Sequence, residues 1–80
     1  MAREQEELER LEKDVMEATI EARKKAHLSQ KDLEEKTGIT QPVISRIESG
    51  IHSPHTSTLI KLLYNMGYTL QVVPLDKKRK

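Results

Sequence analysis

The sequence predicts a mainly α-helical bundle of about four helices, closed by one C-terminal β-strand. Three observations carry that expectation. Apolar residues recur at three- and four-residue steps up to Met66, each of the three glycines falls where such a repeat stops, and Tyr68 to Val73 alternates instead. The chain has 80 residues, enough for one domain at most. A chain of this size hides only about 60–65% of the surface it exposes unfolded. It has no Phe, no Trp and two Tyr, so its core rests on aliphatic side chains, and a core this thin favours stabilisation by a second copy.

The first helix is expected over roughly residues 4–26. Leu8, Leu11, Val15, Ala18, Ala22 and Ala26 form a narrow apolar stripe among charges. Glu9 with Lys13 and Glu21 with Lys25 are favourably oriented i,i+4 pairs. The start of this helix is poorly marked, which leaves residues 1–7 as a frayed end. Ser29 and Asp32 have capping-box spacing for a second helix over about 30–37, with Leu33 inward. Gly38 suits the left-handed residue that stops it.

Thr40 is placed to cap a third helix, and Pro42 falls in the first turn, where its missing N–H costs nothing. Ile44, Ile47 and Ile51 mark the buried side, and Gly50 ends the helix. After a loop at His52–His55, Thr56 or Ser57 would cap a fourth helix running to about Met66, and Gly67 stops it. A lone strand leaves its backbone groups unpaired. The expected partner is the same strand of a second copy across a two-fold axis, with Tyr68, Leu70 and Val72 on one face of this dimerisation strand. Residues 8–75 thus form the domain, and residues 76–80 a charged tail.

Charge is unevenly spread. Residues 1–22 carry three basic and eight acidic side chains, and residues 53–80 carry five basic and one acidic. This is consistent with solvated helix faces, or with a polyanion on the basic part and a basic protein on the acidic part. Charge alone does not choose. The sequence has no Cys, which removes disulfides and thiolate zinc sites. No apolar run approaches the ~18 residues of a membrane span, and the first 20 residues are too acidic for a signal peptide. The expectation is a cytoplasmic protein without membrane contact.

Two short helices joined by a glycine-containing turn match a helix-turn-helix unit, in which the first helix braces and the second meets base edges in a major groove. Gln41, Ser45 and Arg46 lie away from Ile44 and Ile47, as such a helix requires. Arginine can bond guanine O6 and N7 together, and glutamine can do the same for adenine N6 and N7. The stretch Leu28-Ser29-Gln30, Leu33, Gly38-Ile39-Thr40-Gln41, Ile44-Ser45-Arg46-Ile47-Glu48 and Gly50 resembles the Xre/Cro-like helix-turn-helix family of phage and bacterial repressors. The resemblance runs from about Ala22 to Met66 and implies a lambda-repressor-like fold.

By position, the resemblance implies that Gln30 contacts phosphate and sometimes a base. It implies that Gln41, Pro42, Ser45 and Arg46 read bases, with Thr40 and Val43 beside them. Arg23 and Glu48 fall where lambdoid repressors have an internal ion pair, so Arg23 is expected to be structural. Lys24 and Lys25 suit phosphate contacts or plain solvated charges equally. The sequence departs from the family at Glu34, where a small residue is usual, at Thr37, where an aliphatic one is usual, and in the lysine-free loop Ile51–Pro54.

The long first helix, the ending Leu62-Leu63-Tyr64-Asn65-Met66-Gly67 and the strand Thr69–Leu75 further resemble antitoxins of the host-inhibition-of-growth (HigA-type) modules. That resemblance implies a homodimeric repressor that binds its own double-stranded operator and neutralises a ribonuclease toxin through its acidic N-terminal segment. A free-standing phage-type or bacterial regulator, or a protein-interaction module that has lost DNA binding, would share the same pattern. His52 and His55 sit in a Ser/Pro loop without acids and read as polar loop residues. Ser45 lacks a local base for nucleophilic chemistry. No metal, cofactor or catalytic site is expected.

Overall fold

The computed structural model describes residues 2–75 as four helices: α1 (Ala2–Lys25), α2 (Gln30–Thr37), α3 (Gln41–Glu48) and α4 (Thr56–Tyr64). The charged tail expected at 76–80 lies outside the described residues. Helix α1 includes the first turn that the sequence alone would fray. Its 24 residues imply about 36 Å of helix at the usual rise, and the molecule extends 40 × 23 × 20 Å. The long dimension is therefore the length of α1.

The core is aliphatic, with Leu33, Ile44, Ile47, Leu59, Leu62, Leu63 and Met66 buried together and Met16, Leu28, Ile39 and Val43 packed against them. Helix α3 packs against α1 and α2, and α2 packs against α4. Helix α1 contributes less than its stripe suggests. Ala22 is buried, but Leu8, Val15 and Ala18 are exposed, and Thr19 is buried where no apolar residue stands. Thr19 tolerates burial because its hydroxyl donates to the Val15 carbonyl at 2.7 Å. Thr37 is handled likewise. It is buried, its hydroxyl donates to Leu33 O at 2.8 Å, and it accepts the Ile39 N–H at 3.1 Å. A threonine in this aliphatic position thus closes the α2–α3 turn with hydrogen bonds.

The local punctuation follows the chemistry of each end. Ser29 Oγ accepts the Asp32 N–H while the Asp32 carboxylate accepts the Ser29 N–H, both at 2.9 Å, completing a capping box. Gly38 ends α2 at φ +81°, and its N–H bonds the Glu34 carbonyl at 2.8 Å. Helix α1 ends the same way without glycine: His27 stands at φ 60°, a region the imidazole-bearing residue enters more readily than most.

Four expectations change. Thr40 is the N-cap of α3 but its side chain makes no capping bond, and Pro42 is what pre-sets the first turn. The N-cap of α4 is His55, one residue before Thr56, again without a side-chain bond. Ile51 is 79% exposed rather than buried. The reason is Gly50, whose positive φ of +83° turns the chain back so that the Ile51 and His52 N–H groups both reach the Arg46 carbonyl, at 3.0 and 3.1 Å. Finally, residues 68–75 form no strand, and the described residues contain none. A strand needs a ladder partner, and a single copy supplies none to Tyr68, Leu70 or Val72.

One long-range polar contact fixes the angle of the bundle. Arg23 donates through Nε to Glu48 Oε2 at 2.7 Å and through Nη2 to Oε1 at 3.0 Å, a two-pronged ion pair between α1 and α3. Its Nη1 donates to the Leu28 carbonyl at 2.9 Å, so the same guanidinium also holds the α1–α2 turn. The two side chains are only 13% and 10% exposed. Glu48→Ala should therefore destabilise the fold by about 3 kcal/mol, because it leaves the Arg23 charge desolvated, whereas Arg23→Met with Glu48→Leu together should cost little. Urea midpoints of the three proteins check this.

A second test concerns acid. Hydrogen bonds from the Ser29 backbone and side chain hold the Asp32 carboxyl below its ordinary range. A depressed carboxyl adds stability above its unfolded pKa and loses it as pH falls through the folded value. Asp32→Asn should thus flatten the acid limb of stability against pH while leaving neutral-pH folding intact, as thermal melts at a series of pH values would show.

Candidate nucleic-acid interface

Helix α3 is eight residues long, and its two faces are chemically opposite. Ile44 and Ile47 are each 1% exposed and anchor it to the core. Gln41, Pro42, Ser45 and Arg46 are exposed, as is Thr40 just before them. A helix places residues one and four apart in this alternation only when one stripe is buried and the remainder is free. Val43 falls between the two groups: it is half-buried and packs against the core, so it offers less outward surface than Gln41 or Arg46.

Among the described residues no group binds the Arg46 guanidinium. The residue is instead held through its backbone carbonyl, which accepts Ile51, His52 and the Ser49 hydroxyl, the last at 3.1 Å. That arrangement fixes the base of the side chain and leaves its five donors available. Lys24 and Lys25 are exposed at the last turn of α1, and the loop after α3 brings no lysine to the surface.

Gln30, expected to contact phosphate and sometimes a base, is bonded within the chain on both sides of its amide. Its Nε2 donates to Glu48 Oε1 at 2.9 Å, and its Oε1 lies 3.5 Å from Gln41 Nε2. The structure thus brings Gln30, Gln41, Arg23 and Glu48 into one polar chain running from α1 to the exposed start of α3. The expected ion pair supplies its buried end. Residues 30 and 48 are too far apart for any helical period to relate them, so sequence periodicity carries no signal for their contact. Only the shared turn at Gly38, which folds α3 back across α2, makes them neighbours.

The remaining sequence-derived residues lie apart from this surface in role. Tyr68, Leu70 and Val72 are 45%, 38% and 99% exposed and make no strand in the single chain. The described residues contain no group of three His, Cys, Asp or Glu placed to hold a metal ion, and no helix long and apolar enough to cross a membrane.

Comparison with known proteins agrees with this geometry. A family model described as helix-turn-helix matches residues 20–73, which span α2, α3 and α4 and the end of α1. An uncharacterized HTH-type transcriptional regulator of Haemophilus influenzae is 48% identical over 59 residues, covering 74% of this chain. The match covers 60% of that relative's own length. A chain of a toxin–antitoxin module from Streptococcus pneumoniae is 43% identical and shares the fold with a TM-score of 0.70, over 94% of this chain and 83% of that one. The match of the family model over more than half of its length makes the chain a member of the helix-turn-helix family.

Proposed function

We propose that the protein is a homodimeric, sequence-specific regulator of transcription that lays α3 in the major groove of a double-stranded operator. The observation that carries this reading is the division of α3, with Ile44 and Ile47 sealed in the core while Gln41, Ser45 and Arg46 stand free. Arg46 has the donors to bond guanine O6 and N7 together, and Gln41 the mixed edge that matches adenine N6 and N7. Thr40, Pro42 and the outer side of Val43 complete the contact surface. Dimer half-sites would lie about 34 Å apart, or a multiple of that.

The dimer rests on the C-terminal segment. Tyr64, Tyr68, Val72, Val73 and Leu75 are all exposed in one copy, which is more apolar surface than a short soluble chain leaves uncovered without reason. Pairing of residues 68–73 with the same segment of a second copy would satisfy the backbone and cover that surface together.

An antitoxin role is the finer reading, and the similarity to a chain from a toxin–antitoxin module supports it. So does the N-terminal half of α1. There a groove of about 560 Å³ is lined by Leu8, Leu11, Val15, Met16, Pro54 and Leu59 and edged by Glu9 and Glu12. An apolar strip rimmed with acids suits a basic protein surface, as a ribonuclease toxin of a host-inhibition-of-growth module would offer.

Arg46→Ala should weaken operator binding by about 1–3 kcal/mol and relax preference at one base pair, read by competition between the operator and single-base variants. Wild-type affinity should fall steeply with salt, since phosphate contacts release counterions. Little duplex binding even at low salt would defeat the DNA-binding reading. In sedimentation the protein should run as a dimer at micromolar concentration, and Val72→Asp should shift it to a monomer. A wild-type monomer of constant mass would rule out the C-terminal pairing.

A further inference from the structure

The groove beside Leu59 is half of a longer feature. A second hollow of about 480 Å³, with Met16, Ile20 and Pro54 as its apolar lining, opens next to it. The two share Glu9, Glu12, Met16, Ser53 and Pro54, so they form one continuous channel along α1. On α1 its lining runs from Gln5 to Ile20, about 22 Å of helix at the usual rise. Three carboxylates edge this channel without a counter-charge. Glu9 accepts the Gln5 amide at 3.1 Å, and among the described residues no cation pairs with Glu9, Glu12 or Glu17. Arg10 is committed to Glu7 and Asp14 instead.

The chain carries the complement of this channel at its other end. Val73 and Leu75 are exposed, and neither lines the channel of its own chain. Pro74 has no N–H to give a ladder, so a strand over residues 68–73 stops before it. From residue 75 the sequence reads Leu-Asp-Lys-Lys-Arg-Lys, an apolar anchor, one acid and four bases. Six extended residues reach about 20 Å, close to the length of the channel. An apolar strip edged by acids thus has its match in an apolar residue followed by bases. We propose that in the homodimer residues 75–80 of each copy lie in the channel of the other, with Leu75 on the apolar strip and the bases among Glu9, Glu12 and Glu17. The inference rests on the dimer reading given above and extends it, because the arm beyond the paired strands closes the dimer reciprocally. It also fills the groove before any basic partner arrives, so such a partner must displace the arm.

The chain has no cysteine, which makes the contact readable by disulfide trapping. Ser53 is exposed on the wall of the channel, and Lys78 is central among the four bases. Ser53→Cys and Lys78→Cys are placed in one chain, which is oxidised mildly and digested for mass spectrometry of the linked peptides. A disulfide forms only where the two Cα atoms come within about 7 Å. The expected product is a covalent dimer joined through positions 53 and 78. Adding Glu9→Lys with Glu12→Lys, both at exposed positions, should abolish that link, and further adding Lys77→Glu with Arg79→Glu should restore it. A link formed only within single chains overturns the proposal, since the arm would then occupy its own channel. So does a 53–78 link that ignores the charge reversals. Sedimentation of the reduced protein separates the two readings: a dimer that yields no 53–78 link defeats the arm contact alone, whereas a monomer removes the dimer reading and the arm contact with it.

Discussion

The two-pronged bond between Arg23 and Glu48 ties together α1, the turn before α2 and the end of α3. Helix α1 meets the rest of the bundle with a weak apolar face, of which Ala22 is fully buried and Leu8 and Val15 are not. Helices α2 and α3 are eight residues each, too short to persist alone in water. Arg23 joins α1 to the end of α3 and, through the Leu28 carbonyl, to the turn before α2. An ion pair this buried is weak evidence of net stability, since desolvation offsets much of the attraction. Its use is geometric. A charge pair tolerates few alternative partners in an aliphatic core, so it sets which turn of α1 faces which turn of α3.

On that frame, α3 works by segregation. The core holds it through two isoleucines and its own backbone, and none of the groups that face outward is spent on packing. Its C-terminal end is closed by Gly50, which brings two N–H groups onto the Arg46 carbonyl and so stiffens the residue with the most recognition capacity. The same closure expels Ile51 to the surface. The helix is thereby held firmly where its polar side chains face outward, and at eight residues it is short enough for the groove-binding role proposed above.

The rest of the surface is specialised by charge and polarity. Acidic groups crowd α1, with the apolar side chains of Leu8 and Val15 exposed between them. The C-terminal segment carries exposed aliphatic and tyrosine side chains. These two regions and α3 are separate stretches of the chain with separate chemistries. On the proposed reading, a duplex and a basic partner would each engage different residues of one small domain.

What the sequence by itself determined is whatever depends on near neighbours. The capping box at Ser29 and Asp32, the left-handed stop at Gly38, the proline in the first turn of α3 and the burial of Ile44 and Ile47 all follow from contacts within about one helical turn, where residue type and spacing decide the energy. The position of the Arg23–Glu48 pair was legible only through resemblance to a family, because nothing local relates residues 25 apart. Tertiary structure alone decided that Gln30 turns its nitrogen to Glu48, that Ile51 faces solvent, and that Thr19 and Thr37 are buried with their hydroxyls satisfied. The alternation of Tyr68–Val73 marks the intermediate case. Its pattern suits a strand, but strand formation requires a second set of backbone donors and acceptors, and those must come from outside a single chain.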